Sequence, residues 1–290
     1  MAEVETSELL KKVRTIEIKT RGLSKQVFAG EYHSAFKGRG VTFSEVREYQ
    51  YGDDTRDIDW NVTARYNHPF IKIYEEEREL TVVLMIDVSG SRNFGSDAAL
   101  KKNIITEISA VLSFSAILNN DKIGIVFFSD KVEKYIPPKK GRKHILHIIR
   151  ELIEFKPESN STDLSEPLKF ITNVIKKRCT AFVLSDFICP DFENSLKIAR
   201  KKHDIVGLNI FDKRETEMPD IGLVKFIDPE NLETRWIDTS LASVRKDYAD
   251  RWRLKTENLD SLFKRNSVDH VSISTSEDYV KPLLGLFKNR

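Results

Sequence analysis

The stretch TVVLMIDVSGSRNFG, Thr81 to Gly95, decides how the rest of the chain reads. Six apolar or β-branched residues run into Asp87, and Ser89 and Ser91 follow at alternate positions. A short, continuously apolar run bounded by turn residues reads as a strand buried on both faces. Nothing in such a strand requires it to end in a carboxylate and two hydroxyls. Asp87-Val88-Ser89-Gly90-Ser91 is therefore the first candidate for a working edge.

Outward from that strand, apolar runs alternate with segments of helical period. Residues 98–118 place Leu100, Ile104, Ile108, Val111, Leu112, Ser115 and Leu118 on one face of a helix, which Asn119-Asn120-Asp121 stops. KIGIVFFS is the next strand, and KVEKYI after Ser129-Asp130 reads as its hairpin partner. GRKHILHIIRELIEF and residues 163–177 read as helices, TAFVLSD as a strand apolar throughout, 191–202 as a helix and DIVGLNIFD as one more buried strand. Beyond Asp212, LVKFIDPENLETRWIDT reads as a hairpin, 241–266 as an amphipathic helix, VDHVSIS as a last strand and 277–288 as a closing helix. Continuous apolar strands separated by helices predict a doubly wound α/β fold, with a mostly parallel sheet and helices on both faces.

The first 78 residues differ in kind. Residues 4–28 mix charge with single apolar positions, as a helix would, and 31–78 are dense in Gly, Asp, Arg and aromatic residues. The expected organisation is an N-terminal extension, 1–78, without a large core of its own, followed by an α/β domain, 79–290. Within the extension, GDDTRDIDW reads as part of a structural ion-pair network of Arg47, Asp53, Asp54, Arg56, Asp57, Asp59 and Arg65, because buried charges must be paired.

At 40% hydrophobic and 32% charged the composition is globular, and a net charge of +2 is too mild to point to nucleic acid or an anionic membrane surface. No apolar run approaches the roughly 18 residues of a transmembrane helix. The opening Met1-Ala2-Glu3-Val4-Glu5 lacks the basic-then-apolar pattern of a secretory signal, so a cytoplasmic location is expected. Cys179 and Cys189 flank one strand and its exit loop, too far apart in an extended chain to be bridged, and they lack the CxxC spacing of a zinc site. The basic run KKGRKH reads as a solvated loop. There is no GxxxxGK[ST] loop, no GxGxxG after a strand, no GxSxG elbow and no HExxH, and the histidines are scattered. The composition and motifs indicate no enzyme class.

In open α/β sheets, ligands bind at the carboxyl ends of the strands. Asp87, Ser89 and Ser91 then aim hard oxygen donors at one point, a set suited to Mg²⁺, which takes six oxygens in octahedral geometry and keeps several waters. Two further donors belong to the same rim: Thr162, in the loop before a helix, and Asp186, at the end of TAFVLSD. Each also has a plain structural reading. Ser89, Ser91 and Thr162 are the residue types that cap helices, and Asp186 is placed to form an Asx-turn.

Asp-x-Ser-x-Ser, a Thr before a helix and an Asp ending a later strand together resemble the metal-ion-dependent adhesion site of von Willebrand factor A domains. The segment before the strand, FKGRGVTFSEVREYQYGDDTRDIDWNVTARYNHPFIKIYEEEREL, Phe36 to Leu80, is similar to the signature of bacterial domain-of-unknown-function family 58, in which such a block precedes a von Willebrand A strand. Arg92 and Ser161 depart from that pattern, standing where many relatives have Met and Gly. The resemblance implies that Ser89, Ser91 and Thr162 bind Mg²⁺ (or Mn²⁺) directly, that Asp87 and Asp186 act directly or through water, and that one position stays open for a partner's carboxylate. It also implies a protein partner, a MoxR-type AAA+ ATPase or its client, with this chain as adaptor. Two other functions compete with that one: a metal-dependent phosphohydrolase using Asp87 and Asp186, and an interaction domain that uses no metal.

Overall fold

The computed structural model describes residues 42–75, 80–93, 101–227 and 234–288, which belong to two compact units, one within Phe36–Leu80 and one that includes Thr81–Arg290. In the smaller unit β1 (Thr42–Glu48) pairs antiparallel with β2 (Phe70–Glu75), and a single 3-10 turn, Thr55–Asp57, and α1 (Trp60–Tyr66) lie between them in sequence. The Asp59 carboxylate caps α1 by accepting the N–H groups of Asn61 and Val62 at 3.0 and 3.2 Å, and Asn67 ends it in the left-handed region.

The charges of GDDTRDIDW form separate local pairs instead of one network. Arg47 grips Asp53 with two bonds of 2.8 and 2.7 Å, Arg56 pairs with Asp54 two residues away, and Lys72 lies 3.6 Å from Asp59. Among the described residues Asp57 and Arg65 enter no ion pair, contrary to the sequence expectation, because both are exposed and water solvates them. The reason is size. Ile71 is the one buried apolar side chain among the described residues of this unit, and the charged groups of GDDTRDIDW lie at or near solvent, where local pairs suffice.

The larger unit runs β3 (Thr81–Asp87), α2 (Lys101–Leu118), β4 (Lys122–Phe128), β5 (Val132–Lys139), α3 (Arg142–Glu154), α4 (Ser165–Val174), β6 (Thr180–Ser185), α5 (Glu193–Lys202), β7 (Asp204–Phe211), α6 (Lys213–Thr216), β8 (Leu223–Ile227), β9 (Thr234–Asp238), α7 (Ala242–Arg265), β10 (Asp269–Ser274) and α8 (Val280–Lys288). Its six-stranded sheet has the order β10-β7-β6-β3-β4-β5, parallel except for β5. This is the doubly wound α/β architecture expected from the apolar runs. β8 and β9 make the expected hairpin as a separate small sheet.

Strands apolar throughout fit this sheet because both of its faces are covered. Val83, Met85, Val126, Phe128, Ala181, Val183 and Ile205 join one core with Leu168 and Ile171 of α4, Leu196 and Ala199 of α5 and Phe263 of α7. Alternate residues point the other way: Phe127 stacks on Phe155, just beyond α3, and Phe182 meets Phe287 of α8 edge to face.

Burial of α2 extends beyond the broad face that its apolar period marks. The helix is buried without a break from Ile108 to Ala116, including Ser109, Ser113 and Ser115, whereas Leu118 is 49% exposed. Small residues let this helix be covered on more than one side. α4 is shorter than the 163–177 predicted, and α1, α6, β1 and β2 had no apolar period long enough to announce them. The helix anticipated at 4–28, and Leu100, lie outside the described residues.

The strand order turns back at β3, with β4 on one side and β6 on the other. The carboxyl ends of β3 and β6 therefore flank the topological switch point. At Gly124 in β4, an added Cβ would meet the backbone N of Pro138 at 2.8 Å and the carbonyl O of Ile136 at 2.9 Å, both in the antiparallel edge strand. Backbone cannot swing aside as a side chain can. Gly124→Ala is expected to destabilise by about 1–3 kcal/mol, read as a lower urea midpoint; an unchanged midpoint would show that β5 is free to shift.

Candidate metal centre

The five predicted donors lie at the carboxyl ends of β3 and β6 and in the loop before α4. All five are buried: Asp87 is 3% exposed, Ser89 0%, Ser91 8%, Thr162 4% and Asp186 5%. The loops that carry them are tied together through backbone. Val88 N–H donates to Phe128 O at 2.8 Å, Gly90 N–H to Asn160 O at 2.9 Å, and Asp163 N–H to Ser129 O at 3.0 Å. The bond from Gly90 to Asn160 holds the loop of Thr162 against the loop of the serines.

Asp87 is held from two sides. Its Oδ1 accepts the Ser89 N–H at 3.0 Å and its Oδ2 accepts the Ser185 hydroxyl at 2.6 Å. Burial pushes its carboxyl up from the usual range to about 6, and the negative charge of Asp186 adds to this, against the bonds from Ser185 and Ser89. Among the described residues no cation pairs with Asp87. The Ser89 and Ser91 hydroxyls lie 3.2 Å apart and bond each other.

Thr162 does not cap α4. Asp163, not Thr162, accepts the Ser165 N–H that opens α4, at 2.8 Å, and the Thr162 Oγ1 is buried with no hydrogen-bond partner among the described residues. Buried hydroxyls without partners are uncommon in native structures, and each needs an explanation. Asp186 does show its plain structural role, since Oδ1 accepts the Ile188 N–H at 3.1 Å as in an Asx-turn. The next residue, Phe187, has φ of +53°, rare for an aromatic side chain. Its ring, packed at 5.1 Å against Phe263, and its N–H, bonded to Ser185 Oγ, hold the backbone there.

Sequence reasoning missed the cation. Lys101 opens α2 with its side chain 2% exposed, and its Nζ donates to Asp186 Oδ2 at 2.9 Å and to Glu215 Oε1 at 2.5 Å. Burial works against its charge, but Asp186 and Glu215 outweigh it and hold the ammonium above its ordinary value. Burial raises the Glu215 carboxyl while Lys101 lowers it. Two carboxylates share one ammonium, which stays charged. From α7, Tyr248 and Lys255 stand within the field of this group: burial lowers Lys255, and the charges of Asp186 and Glu215 oppose that. No local signal marks these residues, because the contacts span 85 and 114 positions of chain.

Among the described residues there is no group of three or more His, Cys, Asp or Glu side chains disposed to hold a metal ion. Any ion here would be held by hydroxyls with few carboxylates, a donor set for a hard cation such as Mg²⁺ or Mn²⁺ and not for zinc or copper. The orphaned Thr162 oxygen, the paired serine hydroxyls and the uncompensated Asp87 fit such an ion.

The chain belongs to the family described as protein of unknown function DUF58, whose model matches residues 45–258. The uncharacterized protein Rv1480 of Mycobacterium tuberculosis is 24% identical over 291 residues, 99% of this chain and 92% of that protein. Among solved structures, an aerotolerance-related membrane protein from Bacteroides fragilis is similar with a TM-score of 0.49 at 11% identity, over 73% of this chain and 100% of that one. The SpRpn10 VWA domain is similar with a TM-score of 0.41 at 11% identity, over 73% of this chain and 95% of that one. No helix among the described residues is long and apolar enough to cross a membrane.

Both cysteines are free, as their spacing required. Burial pushes each thiol up to about 12, and at Cys189 the charges of Asp87, Asp186 and Asp163 add to it. At pH 8 both are protonated, and the thiolate is the reactive form. Labelling with a disulfide reagent at pH 8 is expected to be slow in the native protein and rapid in urea; fast native labelling of Cys189 would contradict this placement.

Proposed function

We propose that this chain is a metal-dependent protein-interaction module. Mg²⁺ or Mn²⁺ is held by Ser89, Ser91 and Thr162 with Asp87, while Asp186 acts through water, and the ion captures a carboxylate of a protein partner. The observation that carries this reading is the Thr162 hydroxyl, which is buried, has no hydrogen-bond partner among the described residues and lies on the loop tied to the serines. Leaving such a group unpaired costs about 1–3 kcal/mol, and a bound ion would use its lone pair. Because the hydroxyl ligands are neutral, the ion keeps charge for an incoming Asp or Glu, which brings specificity as much as affinity.

The partner we propose is a MoxR-type AAA+ ATPase or its client, with this chain as the cytoplasmic adaptor that presents one to the other. Support for that partner is the family membership and the resemblance of the metal loop to an adhesion site. The organisation proposed with it is an N-terminal extension, 1–78, preceding a metal-binding domain, 79–290.

Titration calorimetry with Mg²⁺ and Mn²⁺ tests the site. Wild type is expected to bind, Asp87→Asn to lose binding, and Thr162→Val to bind about tenfold or more weakly. In chelator Thr162→Val is expected to be as stable as wild type or more so, since a methyl replaces a hydroxyl that has no partner. No binding by wild type at millimolar metal would contradict the reading. Adding the ATPase is expected to tighten metal binding, and metal to tighten ATPase binding by the same factor; ATPase binding that is indifferent to chelator would move the interaction off this site.

A further inference from the structure

Lys101 is among the largest fully buried side chains of the protein, and it is charged. Stability does not account for it. Buried ion pairs are often matched or bettered by apolar residues of similar volume, because desolvation offsets the attraction. What distinguishes this one is its address. Its ammonium sits on Asp186, one of the five candidate donors, and links it to Glu215 of α6.

Both oxygens of Asp186 are engaged, Oδ1 by the Ile188 N–H and Oδ2 by Lys101. The carboxylate is thus held in place and partly neutralised before any ion arrives. Glu215 is in turn fixed by the capping box of α6, in which Asp212 accepts the Arg214 N–H at 2.9 Å and Glu215 Oε2 accepts the Asp212 N–H at 2.9 Å. The ammonium therefore rests between two anchored carboxylates and cannot leave one without losing a charge-assisted bond.

We propose that Lys101 is a tethered cation that competes with the divalent ion for Asp186, keeping that carboxylate from direct coordination and holding the affinity of the site below what its carboxylates would otherwise give. This rests on the metal reading above. Lys101 is a positioning residue in it: it touches the proposed second carboxylate, not the partner. A weakly held ion that retains its charge is one that an incoming partner carboxylate completes, so metal and partner bind together more readily than either alone.

The test is calorimetry with Mg²⁺ on the full chain, with the metal-induced rise in melting temperature as a second readout. Lys101→Met is expected to bind Mg²⁺ about tenfold more tightly than wild type, and to gain more in melting temperature from metal, even where its metal-free form is less stable. Glu215→Gln is expected to bind several-fold more weakly, because it removes a negative charge near the site and a carboxylate that draws the ammonium away from Asp186. A merely structural role would loosen the site in both variants and weaken both. Unchanged or weaker binding in Lys101→Met overturns the proposal. If that variant does not fold, unchanged or tighter binding in Glu215→Gln overturns it. No binding in wild type overturns the metal reading itself, and this inference with it.

Discussion

The rest of the larger unit is arranged around one costly fact, a carboxylate at the end of a strand that is buried on both faces. From Val82 to Val88 no residue is more than 3% exposed, and Asp87 lies inside that run. An ionised carboxylate in such a place must be met by donors or a cation, or else take up a proton. The sheet supplies donors from two directions, a hydroxyl from β6 and a backbone N–H from the loop beyond β3. They reduce the penalty without removing it, which is why burial still raises the Asp87 carboxyl. A site left short of positive charge is one a hard cation would complete.

The same constraint shapes the neighbouring strand end. Asp186 is as buried as Asp87, yet its compensation comes from inside the chain, through Lys101. Two equivalent-looking carboxylates at one rim are thereby differentiated: one faces hydroxyls, the other an ammonium. That ammonium also joins α2 to α6, and Lys255 and Tyr248 of α7 feel its charge and that of Glu215. Charge at the switch point is thus connected with the long helix α7.

Much of the fold was legible in the sequence because the sheet is covered on both faces, and its strands therefore announce themselves as apolar runs with no alternation to misread. The hairpin β8–β9 and the turn at Asn120, which takes a φ of +58°, were legible from turn residues. Less legible was α2, since small buried residues such as Ser109 and Ser113 carry no hydrophobic signal. The family signature located GDDTRDIDW but not its contacts, which turned out to be pairs between near neighbours and one helix cap. At the site, the five donors could be listed from their positions at strand ends. Their status could not: that Thr162 does not cap α4 and that Asp186 is already paired depend on Asp163 and Lys101, residues whose sequence neighbourhoods look ordinary.

The most direct test of the account is where a divalent ion sits. Anomalous diffraction from crystals of the protein grown with Mn²⁺ would locate it by atom. The account predicts a peak bounded by the hydroxyls of Ser89, Ser91 and Thr162 and by Asp87, with Asp186 still bonded to Lys101. A well-ordered site with no peak, or a peak held elsewhere on the chain, would contradict it and leave the serines as turn residues.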